Sequence, residues 1–258
     1  NKGDVEVFGT FLEYVKNFRE FSEIVENITL IIDKGNNSED NIGNMKCHYI
    51  GALRPSTQKD LLKIPLDDYR KLDVGTLYYR TTGKVYGKDH AIVITYNQAL
   101  ATRKEKSFTG SVDKCMTYIN DYIADANKSG RKRNIEKIRK TIDGYLKEKK
   151  MDRYIEYKID YNDIFSVTIT EKKDRVDFMF GRNVLFTDRI DMETSSIIEH
   201  YKDRWIIDDG FRKMNYDDNI SITPIYTWTD QQISLHIFVC VTALLALRLL
   251  KLKLKNSG

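Results

Sequence analysis

The chain has 258 residues, and its 42 Lys and Arg against 38 Asp and Glu give a formal net charge of +4. Hydrophobic residues make up 41%, while Gly and Pro number only 14 and 3, which excludes collagen-like, low-complexity and wholly disordered chains. Three widely spaced cysteines and four histidines argue against a disulfide scaffold and a Cys/His zinc site, so a metal here would need oxygen ligands.

The first part of the chain predicts helices alternating with buried strands. Apolar residues recur every three or four positions over residues 10–26, which predicts an amphipathic helix. The β-branched segment Ile28–Ile32 then predicts a buried strand that ends at Asp33. An Asp in this position can hold a divalent cation at a strand end, although an Asp that only begins a turn is the simpler interpretation.

A turn follows Asp33 and leads into a second pair of elements. Ser38 is placed to cap a short helix that runs through Met45. Residues 48–53 predict another short strand. The order helix, strand, helix, strand is typical of an α/β fold with parallel strands.

The middle of the chain changes character, and we expect strands over 76–80 and 91–96 around a glycine-bearing loop. A helical pair is predicted over 98–127 and 131–150, followed by short strands at 153–159, 164–170, 175–180 and 183–187. The end of the chain predicts one long helix over 193–217, a loop around Pro224 and a final helix over 229–253.

The most apolar segment, Ile233–Leu250, predicts a buried helix and not a membrane span, because His236 and Arg248 interrupt its apolar run. No secretory signal is visible at the polar N-terminus, which predicts a cytoplasmic protein without a membrane partner. The sequence begins at Asn1 and not at Met, and we expect it to be a truncated product.

Positive charge is concentrated between residues 128 and 150, where ten Lys and Arg stand against three acids. Such a concentration is typical of a contact with a phosphate backbone. The candidate DNA contacts are the cations at the start and middle of this segment: Lys132, Arg133, Arg139 and Lys140. Composition alone favours a solvated helix face, because Ile135, Ile138, Ile142 and Tyr145 repeat at helical spacing.

The predicted helix 193–217 carries an unusual polar face. Tyr201, Arg204, Asp208, Phe211 and Asn215 follow one another at steps of three or four and therefore share one side of the helix. An ordinary amphipathic helix with an Arg204–Asp208 salt bridge explains the same pattern, and the residues alone do not decide between this and a functional face.

Two segments resemble the motifs of insertion-sequence transposases, in the branch of the IS-four-like superfamily that has a Tyr-x2-Arg-x3-Glu-x6-Lys signature. Residues 31–38, Ile-Ile-Asp-Lys-Gly-Asn-Asn-Ser, followed by Asn41-Ile42, resemble the motif of the second catalytic aspartate. Residues 201–215 resemble the signature, and the tail from Pro224 to the apolar helix is also similar. The two motifs are far apart and in the family's order, so the resemblance spans nearly the whole chain.

The resemblance implies a DDE active site on an RNase H-like fold: a mixed sheet flanked by helices and interrupted by a mixed α/β insertion. Residues 1–55 would be the first part of this core, without its first strands, 56–190 the insertion and 191–258 the final helices. It also implies DNA transposition, a form of DNA recombination, through metal-dependent phosphodiester cleavage and strand transfer. Two Mg²⁺ or Mn²⁺ ions and double-stranded DNA would be the partners, and a homodimer on DNA is compatible with this.

In residue terms, the resemblance makes Asp33 and Asp208 the catalytic and metal-binding carboxylates, close enough to share one ion's coordination sphere. The implied DNA-binding residues of the signature helix are Tyr201, Arg204, Arg212, Lys213 and Asn215. This chain departs from the family at three points: it lacks the strand of the first aspartate, and Asp208 and Asn215 stand where the family has Glu and Lys. A decayed copy that only binds DNA, and an RNase H-like nuclease outside transposition, are the alternative interpretations.

Overall fold

The computed structural model describes residues 3–16, 27–128, 134–216, 222, 225–226 and 228–256. The chain divides into two compact units, Asn1–Ser195 and Ser196–Gly258. The first unit holds all the described strands, and the second holds the helical segments from Ser196 onward.

A six-stranded mixed sheet is the centre of the first unit, with the strand order β1-β2-β8-β5-β4-β3. Its strands are β1 (Thr29–Ile31), β2 (His48–Leu53), β3 (Arg70–Asp73), β4 (Thr76–Val85), β5 (Lys88–Asn97) and β8 (Arg182–Thr187). Strands β1 and β2 are parallel and all other neighbours are antiparallel. The α/β class, and the pairing of the strand before Asp33 with the strand 48–53, are therefore confirmed. The predicted boundary between residues 55 and 56 falls within this continuous sheet.

Eight α-helices are described: α1 (Asp4–Lys16), α2 (Glu39–Asn44), α3 (Lys59–Leu62), α4 (Gln98–Lys128), α5 (Ile135–Glu148), α6 (Thr194–Lys202), α7 (Arg204–Tyr216) and α8 (Asp230–Asn256). Ser38 caps α2, because its Oγ accepts a hydrogen bond from the Asn41 backbone N–H, as the sequence predicts. Helix α1 begins earlier than the predicted helix 10–26, of which residues 17–26 lie outside the described residues.

Two of the sequence predictions are wrong in detail. The segment 175–180 is not a strand but part of two 3₁₀ turns, Lys173–Arg175 and Asp177–Met179. The Asp177 carboxylate accepts a hydrogen bond from the Phe178 N–H, a local bond that competes with strand pairing. The predicted helix 193–217 is two helices, divided at Asp203.

Two hydrophobic cores stabilise the first unit. One lies on the six-stranded sheet and includes Leu62 and Phe186, both essentially inaccessible to solvent. The other joins α4 and α5 to a separate hairpin of β6 (Ile155–Asn162) and β7 (Ile164–Glu171). Helix α5 turns Ile138 and Ile142 into this second core, which explains the helical spacing of its apolar residues.

The β4–β5 hairpin fixes the position of a turn far along the chain. Tyr86 and Gly87 at its tip both have positive φ, 49° and 76°, as a two-residue type I′ turn requires. On β4, Arg80 donates hydrogen bonds to the Met192 carbonyl at 2.8 Å and the Thr194 hydroxyl at 2.9 Å, and a further bond to the Ile190 carbonyl. The turn that precedes α6 is therefore held by a strand side chain.

Helix α8 is not the buried helix that its sequence predicts. Large apolar side chains along it are exposed, among them Phe238 and Leu245. Its polar residues instead make contacts within the second unit: His236 Nε2 lies 3.1 Å from the Ile222 carbonyl, and Arg248 bonds to residues of α7. The prediction fails because periodicity identifies an apolar helix but not the residues that cover it.

By length and composition, one helix in the described part of the chain could cross a membrane. It is the α8 segment Asp230–Leu254, with 25 residues and a mean hydropathy of 2.2. Apolar helices that are covered by protein meet the same two criteria, so this finding does not assign α8 to a membrane.

Candidate functional site

Asp33 lies directly after β1, at the carboxyl end of the parallel β1–β2 pair. The Ile32 N–H still bonds to the Ile50 carbonyl at 2.9 Å, so the sheet pairing extends to the residue before Asp33. Asp33 itself has an extended backbone and an exposed side chain, and it precedes a 3₁₀ turn over Lys34–Asn36. This is the position that α/β folds use for ligand chemistry.

The polar residues after Asp33 fasten the loop to the fold. The Asn37 amide donates to the Ala52 carbonyl of β2 at 2.8 Å. Asn41 is buried, and its amide donates to the Val5 carbonyl of α1 at 3.0 Å and to the Asn36 carbonyl at 2.9 Å. Each bond satisfies a backbone carbonyl, so these asparagines have a structural role in tying the loop to β2 and α1.

The signature residues lie on both sides of the break at Asp203. Tyr201 lies in the last turn of α6, and Arg204 is the first residue of α7. They remain in contact, because Arg204 donates from Nη1 to the Tyr201 hydroxyl at 3.2 Å and its guanidinium lies 5.3 Å from the centre of the ring. The helix break therefore leaves the Tyr–Arg part of the predicted face intact. Asp208 and Asn215 are both exposed on α7.

Asp209, the neighbour of Asp208, is the centre of a cation cluster in the second unit. Its Oδ1 lies 2.7 Å from Arg212 Nη2, and its Oδ2 lies 2.8 Å from Lys213 Nζ and 2.6 Å from Arg248 Nη2. Hydrogen bonds from Lys213, Arg212 and Arg248 hold the pKa of Asp209 well below its usual range. Arg212 and Lys213, two predicted DNA contacts, are thus bonded to a carboxylate.

The predicted basic helix has its cations on the solvent side. Arg139 and Lys140 are exposed on α5, opposite the buried Ile138 and Ile142. Lys132 and Arg133 lie outside the described residues. A solvated helix face and a surface for DNA backbone both have this arrangement, so DNA contact here stays a prediction.

The described residues do not fit a complete metal site. Asp33 and Asp208 supply the hard oxygen ligands that Mg²⁺ prefers. Among the residues that the structure describes, no three His, Cys, Asp or Glu side chains form a group that could hold a metal ion. Asp33 and Asp208 belong to different compact units, and their proximity stays a prediction.

Sequence reasoning missed a polar cluster at the amino end of β2, the end of the sheet opposite Asp33. The Asp188 carboxylate lies 2.7 Å from His48 Nδ1 and accepts the Tyr49 N–H at 3.0 Å. Behind it, the Tyr49 hydroxyl lies 2.7 Å from Nε2 of His90, which is completely buried. His90 Nδ1 faces the Lys88 carbonyl at 2.8 Å and must donate to it, so Nε2 is the acceptor for the Tyr49 hydroxyl.

No spacing rule predicts these pairs, because their members lie 41 to 140 residues apart. The Asp209 cluster was partly visible in the sequence, since Arg212 and Lys213 stand three and four residues after Asp209. Arg248 lies 39 residues further along the chain and becomes its neighbour only through the packing of α8 on α7.

Comparison with known proteins adds no relative: the chain matches no protein-family model, no curated protein and no solved structure.

Proposed function

We propose that this chain is part of a DDE transposase with an RNase H-like fold, acting in the cytoplasm on double-stranded DNA. The observation that carries the proposal is the placement of Asp33. It directly follows β1, whose residues are half-buried or exposed, at the carboxyl end of a parallel pair and in a loop that Asn37 and Asn41 fasten to the fold. The order of the two motifs along the chain supports the same assignment.

The signature face supports the proposal independently. Tyr201 and Arg204 form one phenol–guanidinium unit, which pairs a hydroxyl with a planar cation suited to a phosphate. In the proposed function this unit contacts the element's end near the cut, and Asp33 and Asp208 are the carboxylates of the active site. Mg²⁺ or Mn²⁺, when bound, would supply charge stabilisation at the attacked phosphate.

The topology also leaves room for the strand that would carry a first aspartate. Within the described residues β1 pairs with β2 alone, so its other edge has unused backbone donors and acceptors. In the proposed fold, the strand that carries the first aspartate adds to this edge.

Cleavage of a labelled duplex that carries the element's terminal repeat tests this proposal. We expect no cutting by the 258-residue chain in magnesium, because the resemblance assigns it only two of three carboxylates. Addition of the upstream strands should restore cutting. Asp208→Glu and Asn215→Lys should then increase it, since a longer carboxylate regains reach and Lys restores a cation. Cutting by the unmodified chain that Asp33→Ala abolishes would contradict the assignment of the carboxylates.

A DNA-binding protein without catalysis is the second candidate. It is favoured by one observation: the described residues contain no group of three metal-binding side chains. In both candidates the basic helices hold DNA backbone, so affinity should fall steeply with salt. Conversion of Lys132, Arg133, Arg139 and Lys140 to Glu should flatten that dependence, and an unchanged salt slope would assign α5 to an ordinary solvated face.

A further inference from the structure

We infer that Asp209 is a positioning residue that gathers Arg212, Lys213 and Arg248 into one contact for the DNA phosphate backbone. This cation cluster rests on the proposed function, because it names a further DNA-contacting surface of the same protein. It adds Arg248 of α8 to the DNA-binding residues and gives Asp209 a role different from that of its neighbour Asp208.

The first argument is the number of cations. One carboxylate is balanced by one cation, yet three cations lie within 2.8 Å of the two Asp209 oxygens. The cation cluster with its carboxylate therefore carries a formal charge of +2 at one point of the second unit. Cations held together repel one another, and a further anion relieves this repulsion. A phosphate diester is the anion that the proposed function supplies.

The second argument is that a purely structural tie would need fewer groups. Arg248 joins α8 to α7, since it bonds both to Asp209 and, at 3.2 Å, to the Ile206 carbonyl. Arg212 and Lys213 lie on the same helix as Asp209, so their bonds add no link between helices. They add charge at a point where the packing of α7 and α8 does not require it.

The third argument is accessibility. The Arg212 side chain is 71% exposed and uses one guanidinium nitrogen for Asp209, while the Asp209 side chain is only 11% exposed. Solvent therefore meets the cations before it meets the carboxylate. An incoming phosphate can bind the outer N–H groups of Arg212 while Asp209 keeps the cations from separating.

Replacing the Asp209 carboxylate by an amide distinguishes a positioning role of Asp209 from a simple effect of net charge on DNA binding. Asp209→Asn makes the protein more positive by one charge, so a charge effect alone would strengthen DNA binding. If Asp209 positions the cations, the same variant weakens binding and lowers the number of phosphate contacts. Asp203→Asn is the matched control, because Asp203 is an exposed acid of the same unit outside the cation cluster.

The experiment measures binding of a labelled DNA duplex by fluorescence anisotropy over a series of salt concentrations, with EDTA present. The slope of log affinity against log salt changes by about 0.9 for each phosphate contact. We expect Asp209→Asn to bind more weakly than the unmodified chain and to have a flatter slope. Asp209→Glu keeps the carboxylate and should have the affinity and slope of the unmodified chain. Asp203→Asn should bind as tightly as the unmodified chain or more tightly.

Two further variants answer the possibility that Asp209→Asn loosens α8. The double variant Arg212→Gln, Lys213→Gln leaves the Arg248 link in place. We expect its salt slope to be smaller in magnitude by about 1.8, the value for two phosphate contacts. Arg248→Gln should lower the magnitude of the slope by about 0.9, the value for one phosphate contact. Its control is Lys251→Gln, which removes an exposed cation of α8 and should lower the slope less.

Tighter binding by Asp209→Asn, or an unchanged slope in the double variant, would overturn the inference while leaving the proposed function intact. No binding of DNA by the unmodified chain would overturn both.

Discussion

The loop after β1 and the α7–α8 pair place their polar side chains in different settings. Asn41, in the helix α2 that follows the loop, is buried and bonds to two backbone carbonyls, and apolar residues around it fill the core of the sheet. In the α7–α8 pair, Arg248 faces Asp209 while apolar residues of α8, such as Phe238, face outward. The sheet buries its apolar residues in a core within the first unit, whereas α8 leaves a large apolar surface exposed.

The largest expected difference between the two regions is in the free energy of unfolding that is lost when a leucine is replaced by alanine. Leu62 is fully buried in the sheet core, and Leu62→Ala should lower the free energy of unfolding by about 2–5 kcal/mol through lost burial and a cavity. Leu245 is 57% exposed on α8, and Leu245→Ala should change it by less than about 0.5 kcal/mol. Urea unfolding of both variants measures the difference. An equal cost at both sites would show that α8 is covered in solution.

An intermediate effect is expected at the buried Tyr49–His90 pair. Burial lowers the pKa of His90, so between its folded pKa and the unfolded value of about 6.5 the unfolded chain binds more protons. Stability should therefore be fully present above about pH 6.5 and decline as the pH falls below it. Tyr49→Phe should cost about 1–3 kcal/mol, because Nε2 of His90 would keep no donor.

The pH dependence of urea unfolding tests this in the sheet region. His90→Gln should flatten the decline below about pH 6.5, because it removes the titrating imidazole. His200→Gln is the control, since His200 is exposed on α6. If both variants kept the slope of the unmodified chain, the buried histidine would not be its source.

The smallest effect is expected at Asp209, whose three partners are partly open to solvent and therefore screened. Its lowered pKa means that this stabilisation is present above the unfolded value of about 3.9 and is lost as the pH falls toward the folded value. Thermal unfolding below about pH 5 should show a decline that Asp209→Asn reduces and Asp203→Asn retains. The two regions would then lose stability in separate ranges of pH.

Local patterns were enough to predict the elements around Asp33. The β-branched segment before it and the strand 48–53 are short, and Ser38 caps the following helix through a bond to a residue three positions away. Such interactions depend on neighbours along the chain, so the residues themselves carry the information.

Tertiary contacts explain the failures. Asp203 interrupts a helix whose periodicity continues through it, and the apolar pattern of α8 says nothing of what covers it. Likewise, the pairing of Asp209 with Arg248 or of His48 with Asp188 depends on packing between distant segments. The proximity of Asp33 to Asp208 belongs to the same class and stays a prediction.

The hairpin tip at Tyr86 and Gly87 limits which insertions and deletions this chain can tolerate. Its two-residue turn sets the register of β4 against β5, and a shift of one residue turns every side chain of a strand to the other face. Arg80, about 20 Å from the tip at 3.3 Å per residue, would then release the carbonyls of Ile190 and Met192. Single-residue insertions or deletions at the tip should therefore be tolerated far less well than substitutions, whereas changes of two residues keep Arg80 on its face.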